Sequence, residues 1–284
     1  MLAVLLALGA SAAWGGADFL GGLTSRKLGS ALGVTVLSEG VAMVAALVVL
    51  LVVRPDWPGA DFLFYAALGG VLEAIAIGAL YRGFTLGAMG VISPIAACSG
   101  IIPVAFGIVV LGEDLSTFVA VGLPLTFVGV LAVAWTPGAA ADASGKLASG
   151  VGLALIAAVG FGGFIVVIDE AVARSDVVWS VAVARFTLVL AAGLVMAIAR
   201  PSLRGASRYA LPLIALGLFD FTAVLLVAAA TAQGLLAVVG VLAALYPVIT
   251  LLLARFVLGE RLRVSQRLGT VIAFAGVALI ASAA

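Results

Sequence analysis

Five residues can carry chemistry that their surroundings do not explain: Asp18, Glu39, Glu73, Arg185 and Asp220 each stand inside an apolar run. Glu73 is the clearest case. In LGGVLEAIAIG (68–78) the other ten residues are apolar or glycine. Burying an unpaired charge is among the most costly things a fold can do. Glu73 therefore needs either a partner in a dry core or a membrane setting in which it faces something wet. A wet carboxylate can bind a substrate ammonium group or take up a proton. An arginine can grip a carboxylate through two parallel hydrogen bonds. Acids for the ammonium and Arg185 for the carboxylate would suit an amino acid.

The composition decides the setting. Charged residues are 10% of the 284, AVILMFWYC are 65%, and the mean hydropathy is +1.38. A soluble domain carries about a quarter charged residues, and 14 Lys+Arg with 13 Asp+Glu cannot make a watery surface over this length. The chain is a polytopic membrane protein, all-α. Its net charge of +1 gives no reason to expect nucleic acid. One cysteine, Cys98, excludes an internal disulfide framework, and the absence of histidine removes the usual zinc sets. No cofactor is implied, and no G-x-x-x-x-G-K-[ST] loop is present for direct ATP drive.

A bilayer core asks for about 20 apolar residues per helix. Such runs lie near 2–23, 32–53, 61–81, 87–111, 116–135, 149–169, 177–199, 208–230, 234–257 and 265–283, which makes ten spans. They are separated by TSRKLGS (24–30), RPDWPGAD (54–61), TPGAAADASGK (136–146) and RPSLRGASR (200–208). Period-two alternation, the mark of a lipid-facing barrel, is missing. LGASAAW contains an A-x-A site, but MLAVLL has no basic leader, so cleavage of the first span is not expected.

The chain also matches itself. A shift of 147 places AWGGADF (13–19) on GFGGFIV (160–166), VLGEDL (110–115) on VLGERL (257–262) and FVGV (127–130) on FAGV (274–277). Gly122 lands on Gly269 and Gly87 on Gly234 in the same register. The expectation is two five-helix units, 1–135 and 149–284, joined by a loop at 136–148. Five is odd, so the second unit enters the membrane from the opposite side and the halves are inverted repeats, the common build of secondary transporters. The same shift carries Glu73 onto Asp220, in LGLFDFTAVLL (216–226). Each half thus holds one acid near the middle of its third span.

VVLGEDLSTFVAVGLPLTFVGV (109–130), FVLGERLRVSQRLGTVIAFAGV (256–277), and the proline-bearing SPIAACSGIIP (93–103) and AALYPVITLL (243–252) together resemble the EamA-like branch of the drug/metabolite transporter superfamily. The resemblance implies a ten-helix carrier of small polar metabolites, often an amino-acid exporter, with no enzymatic activity. It implies a central cavity lined mainly by the third, fourth, eighth and ninth helices, with the fifth and tenth peripheral. Glu73 and Asp220 would stand beside the transport path, and Glu113 and Glu260 would fix the turns between spans four and five, and nine and ten.

An ionisable residue at mid-helix costs about 2.5–3.5 kcal/mol on insertion scales and is a functional candidate by default. For Glu73 and Asp220 the alternative to lining the cavity is a structural bond to Ser or Tyr of a neighbouring helix. Glu39 and Arg185 lie early in spans two and seven; the shift aligns Arg185 with Ser38, so the two can meet as a salt bridge between halves. Asp18, with Trp14 one turn before and Ser11 another, faces the cavity or reaches for headgroups. Tyr81 and Tyr246 are candidate cavity aromatics. Trp57, Trp135 and Trp179 lie at span ends and read as interface anchors. Gly83, Gly87 and Gly90 can be hinges or packing positions, the use that small residues commonly have in bilayers. Pro94, Pro103, Pro124 and Pro247 fall inside spans and are expected to kink them.

Loops one–two, three–four, five–six, seven–eight and nine–ten hold eleven Lys and Arg, and the other side only Arg54 and Arg174. The positive-inside rule then puts both termini outside an inner (plasma) membrane, against the inside termini that the resemblance implies. The reading is secondary transport of a small metabolite such as an amino acid, outward, with proton coupling as one option. The alternative is a carrier of hydrophobic or cationic compounds. A lipid-modifying enzyme lacks a nucleophile–base motif here, and a non-transporting subunit is the remaining rival. Oligomeric state cannot be read from the sequence.

Overall fold

The structure, a computed structural model, describes residues 1–86, 92, 95–134, 145–257 and 264–282. Among them all regular structure is helical: α1 (Leu2–Leu28), α2 (Ala31–Val53), α3 (Leu63–Leu86), a 3-10 turn Cys98–Gly100 leading into α4 (Ile101–Val109), α5 (Thr117–Ala134), α6 (Gly145–Val172), α7 (Val177–Ala199), α8 (Ala210–Thr231), α9 (Leu236–Ala243), α10 (Tyr246–Val257) and α11 (Val264–Ser282). By length and composition 8 helical stretches can cross a membrane, with α9 and α10 counted together; Ile95–Val109 and Thr117–Ala132 are apolar but shorter. Leu51, Val52, Ile198 and Phe256 are exposed on the outer faces. Water would penalise so much open apolar surface, whereas lipid accepts it.

Local chemistry fixes the helix ends. TSRKL is helical and extends α1 past its expected end, because the stop is Gly29, left-handed at φ 71°. Ser30 then caps α2 by accepting from the Gly33 N–H at 3.0 Å. Asp176 caps α7 through the Val178 and Trp179 N–H groups at 2.7 and 2.9 Å. Both α2 and α7 run 23 residues and end on a left-handed arginine, Arg54 (φ 49°) and Arg200 (φ 44°). A proline follows each, and the residue before proline avoids the right-handed helical region.

The interruptions at 98–100 and 244–245 fall just before Pro103 and Pro247, within the runs expected to bend at these prolines. Pro103 and Pro247 sit in the first turns of α4 and α10, where a missing N–H costs nothing because that donor has no helical acceptor. They start helices after a break. Pro124 does lie within α5. Gly83 is a packing position, since a Cβ there would come within 3.2 Å of Ile92. Pro94, Gly87, Gly90, Trp135, Glu260 and most of the loop at 136–146 lie outside the described residues.

α1 packs on α8 and α3 on α6; α2 packs on α7 and α8, α3 on α7, α4 on α9, and α5 on α11. Trp179 Nε1 donates to the Pro55 and Asp56 carbonyls at 3.3 and 3.1 Å. Its ring meets Trp57 edge-on, centroids 4.9 Å apart. Arg174 lies 4.2 Å over Tyr65 and also pairs with Glu170. The loop 54–62 and the turn 173–176 are therefore held together at one end of the bundle.

Glu113 joins elements at a distance. Its carboxylate accepts from the Leu236 and Ala237 N–H groups at 2.5 and 3.0 Å. These are donors that the start of α9 cannot satisfy itself. The residue expected to fix its own turn caps a helix more than a hundred residues away.

Candidate functional site

Four of the five intramembrane charges meet at one point. Arg185, on α7, is fully buried and donates from Nη1 to Glu39 Oε2 on α2 at 2.7 Å and to Asp220 Oδ2 on α8 at 2.6 Å. From Nη2 it donates to both oxygens of Glu73 on α3, at 2.6 and 2.7 Å. Glu39 and Glu73 are as buried as the arginine, and Asp220 is nearly so. Trp14 Nε1 completes the knot by donating to Asp220 Oδ1 at 3.2 Å. One guanidinium thus serves three carboxylates, a formal excess of two negative charges when all are ionised.

Beside the knot is a cavity of about 30 Å³, room for about two water molecules. Asp220 belongs to both. The rest of its polar and aromatic lining is Trp14, Asp18, Tyr81, Ser99, Phe161 and Tyr246. Trp14 and Asp18 are one helical turn apart on α1, as are Ile77 and Tyr81 on α3 and Phe161 and Ile165 on α6, so each helix gives one face to the space. The far wall comes from the two breaks in the helical runs. Ser99 sits in the 3-10 turn before α4, and Ala243, Ala244 and Tyr246 flank the break between α9 and α10. Gly100 lets the two broken segments touch: a Cβ there would come within 3.2 Å of the Gly240 carbonyl oxygen.

The geometry sorts the expected residues. Glu73 does not line the cavity; both its oxygens are spent on Arg185. Its partner is a cation, which offers a carboxylate more than the Ser or Tyr hydroxyls weighed as the structural alternative. Both terminal nitrogens of Arg185 are taken by the three acids and only its buried Nε lacks a partner, so the paired donors that would grip a substrate carboxylate are spent. The expected Glu39–Arg185 bridge is present and links α2 to α7. Asp18 turns inward rather than toward the headgroups, and Trp14, Tyr81 and Tyr246 line the cavity. Ile77, Ser99, Phe161 and Ile165 were missed. Three of them were within reach, because the 147-residue shift carries Trp14 onto Phe161, Asp18 onto Ile165 and Ser99 onto Tyr246.

Residues 148–282 match the EamA-like transporter family. No curated protein matches the chain. Among solved structures 28 chains match. One of them, a crystal structure of a protein described no further, superposes with a TM-score of 0.77 at 19% identity, covering 99% of this chain and 97% of its own. That likeness speaks for the fold.

Proposed function

We propose that this chain, whose residues 148–282 match the EamA-like transporter family, is a member of that family and a secondary carrier moving small metabolites by alternating access between two inverted five-helix halves. The family is one of transporters rather than enzymes, and 8 apolar helices seat the chain in a bilayer as a multi-pass protein. The proposal adds that Ile95–Val109 and Thr117–Ala132 also cross, giving ten spans.

Matched contacts support the duplication. α1 on α8 repeats as α6 on α3. Gly70 lies against the Ala184 carbonyl and Gly217 against that of Ser38. Gly70 and Gly217 are 147 apart, and Ser38 and Ala184 are 146 apart. The start of α2 and that of α7 also differ by 146. In that local register the mate of Arg185 is Glu39, not Ser38. The knot is then two pairs of equivalent positions, Glu39 with Arg185 and Glu73 with Asp220, gathered where the halves meet.

The observation that carries the mechanism is this knot beside the central cavity. A buried ion cluster is weak support for stability, since apolar side chains of equal volume often do as well or better. An excess of two carboxylates in a dry interior is balanced by protons or by a bound cation. Asp220 touches both knot and cavity, so a proton or cation arriving there alters the pairing that ties α2, α3, α7 and α8 together. This supports coupling to a proton gradient. Amino acids and similar amphiphiles remain the favoured cargo class, with outward export across the inner membrane. The cationic-compound alternative gains weight because Arg185 is already occupied. The test is flux in proteoliposomes holding only this chain, with and without a pH gradient. Solute movement that responds to the gradient and is lost in Asp220→Asn is expected. Absence of flux for every solute tried overturns the reading.

A further inference from the structure

We propose that Asp18 and Tyr246 form a subsite for the ammonium head of an organic amine, with the cavity's aromatic rings as its walls. The inference rests on the carrier reading above and names its substrate class. Asp18 has no hydrogen bond or ion pair with any described residue, although it lines the cavity and every other acid around the knot is engaged. The Tyr246 hydroxyl is buried on the same cavity and likewise has no partner. A carboxylate and a phenol left open together are poorly explained by packing. Its repeat mate Ile165 lines the same space with a plain apolar side chain, so the position does not require a carboxylate for its shape.

The two groups are complementary to one chemistry. A protonated amine offers N–H donors: the Asp18 carboxylate accepts one with its charge, and the Tyr246 oxygen accepts another. The faces of Trp14, Tyr81 and Phe161 attract a cation through their ring quadrupoles. No lysine or arginine stands among the described lining residues, so no fixed positive charge there draws an anion. An ammonium head is close to a water molecule in size and fits about 30 Å³. The tail does not fit in the same 30 Å³ and must reach beyond it past the apolar lining, Ile77 and Ile165, which favours alkyl or arylalkyl amines over small inorganic cations.

The experiment is calorimetric titration of the full-length protein in detergent with methylammonium, butylammonium and phenethylammonium, and with phenylpropionate as the anionic control. Phenethylammonium is expected to bind tightest and phenylpropionate not at all. Asp18→Asn should weaken phenethylammonium by about tenfold or more, the loss of one charge-assisted hydrogen bond. Tyr246→Phe should weaken it less, and Asp18→Glu should retain part of the affinity. Should Asp18→Asn not fold, Tyr246→Phe and the amine-against-anion comparison still decide. Binding unchanged in both variants, equal binding of phenylpropionate, or no binding of the three amines overturns the subsite. If the vesicles carry other solutes while these amines neither bind nor compete, the subsite falls and the carrier reading stands. If amines bind but no solute crosses, the carrier reading falls instead.

Discussion

Replacing Arg185 by methionine removes the cation and leaves three carboxylates with nothing to answer them. The wild-type guanidinium makes four hydrogen bonds to them, all between 2.6 and 2.7 Å, and no partner is more than 7% exposed at the side chain. Breaking a buried pair by deleting one member costs about 3–5 kcal/mol. For a chain of this size a kcal/mol lowers the melting temperature by about 2–4 °C, so Arg185→Met should melt about 6–20 °C lower in detergent. The informative comparison adds the other members. In Arg185→Met/Glu39→Gln/Glu73→Gln/Asp220→Asn no buried charge is left unpaired, and most of the loss should return, since residues sharing one partner do not behave additively. Arg185→Lys should fall between, because an ammonium cannot reproduce the planar fork that holds Glu73 by both oxygens. Tryptophan fluorescence during heating reads all three. A single variant within about 1 kcal/mol of wild type, a cost typical of an exposed pair, refutes the idea that the knot is dry and mutually dependent.

Other outcomes follow from single contacts. Glu113→Ala strips two acceptors from the start of α9 and should cost about 1–2 kcal/mol, with faster hydrogen exchange at Leu236 and Ala237; unchanged exchange there would count against the cap. Gly70→Ala forces a Cβ against the Ala184 carbonyl and within 2.9 Å of the Leu188 nitrogen, and should lower stability by about 1–3 kcal/mol. Gly193→Ala, with nothing within 4 Å of the new Cβ, should be neutral or slightly stabilising in a melting assay. A reporter that works only outside the cytoplasm, fused after Ala284, should be active; activity confined to a cytoplasmic reporter would reverse the orientation.

Much of the helix plan was readable because lipid imposes a length: α2 and α7 begin or end within a residue of their apolar runs, and the span list anticipated α8 and α11 nearly as well. What lipid does not dictate was missed. TSRKL continues α1 since charged residues at a membrane surface can stay helical until a glycine stops them. The breaks at 98–100 and 244–245 are invisible to hydropathy, being apolar on both sides. Arg185 and the three acids were individually conspicuous, but their convergence needs helix rotation, which a one-residue slip between 146 and 147 turns by about 100°. Glu113 could not be placed, because capping a distant helix leaves no mark in the residues near it.

The charges of this molecule divide according to whether the fold itself can satisfy them. Glu39, Glu73 and Arg185 find one another and close off. Asp18 does not, and its open carboxylate lines the same cavity as an equally unpartnered phenol, that of Tyr246. Asp220 lies between the two groups, bonded to Arg185 on one oxygen and to Trp14 on the other, while facing the same space. A ligand charge placed near Asp18 therefore acts on the knot through Asp220 and Trp14. Because the knot joins α2, α3, α7 and α8, anything that loosens the Arg185–Asp220 pair changes how α2 and α3 hold α7 and α8. On that account Trp14→Phe, which removes the indole donor but keeps a ring, should leave amine binding largely intact. It should, however, weaken the gradient dependence of transport. Loss of binding with normal coupling would instead place Trp14 in the subsite alone.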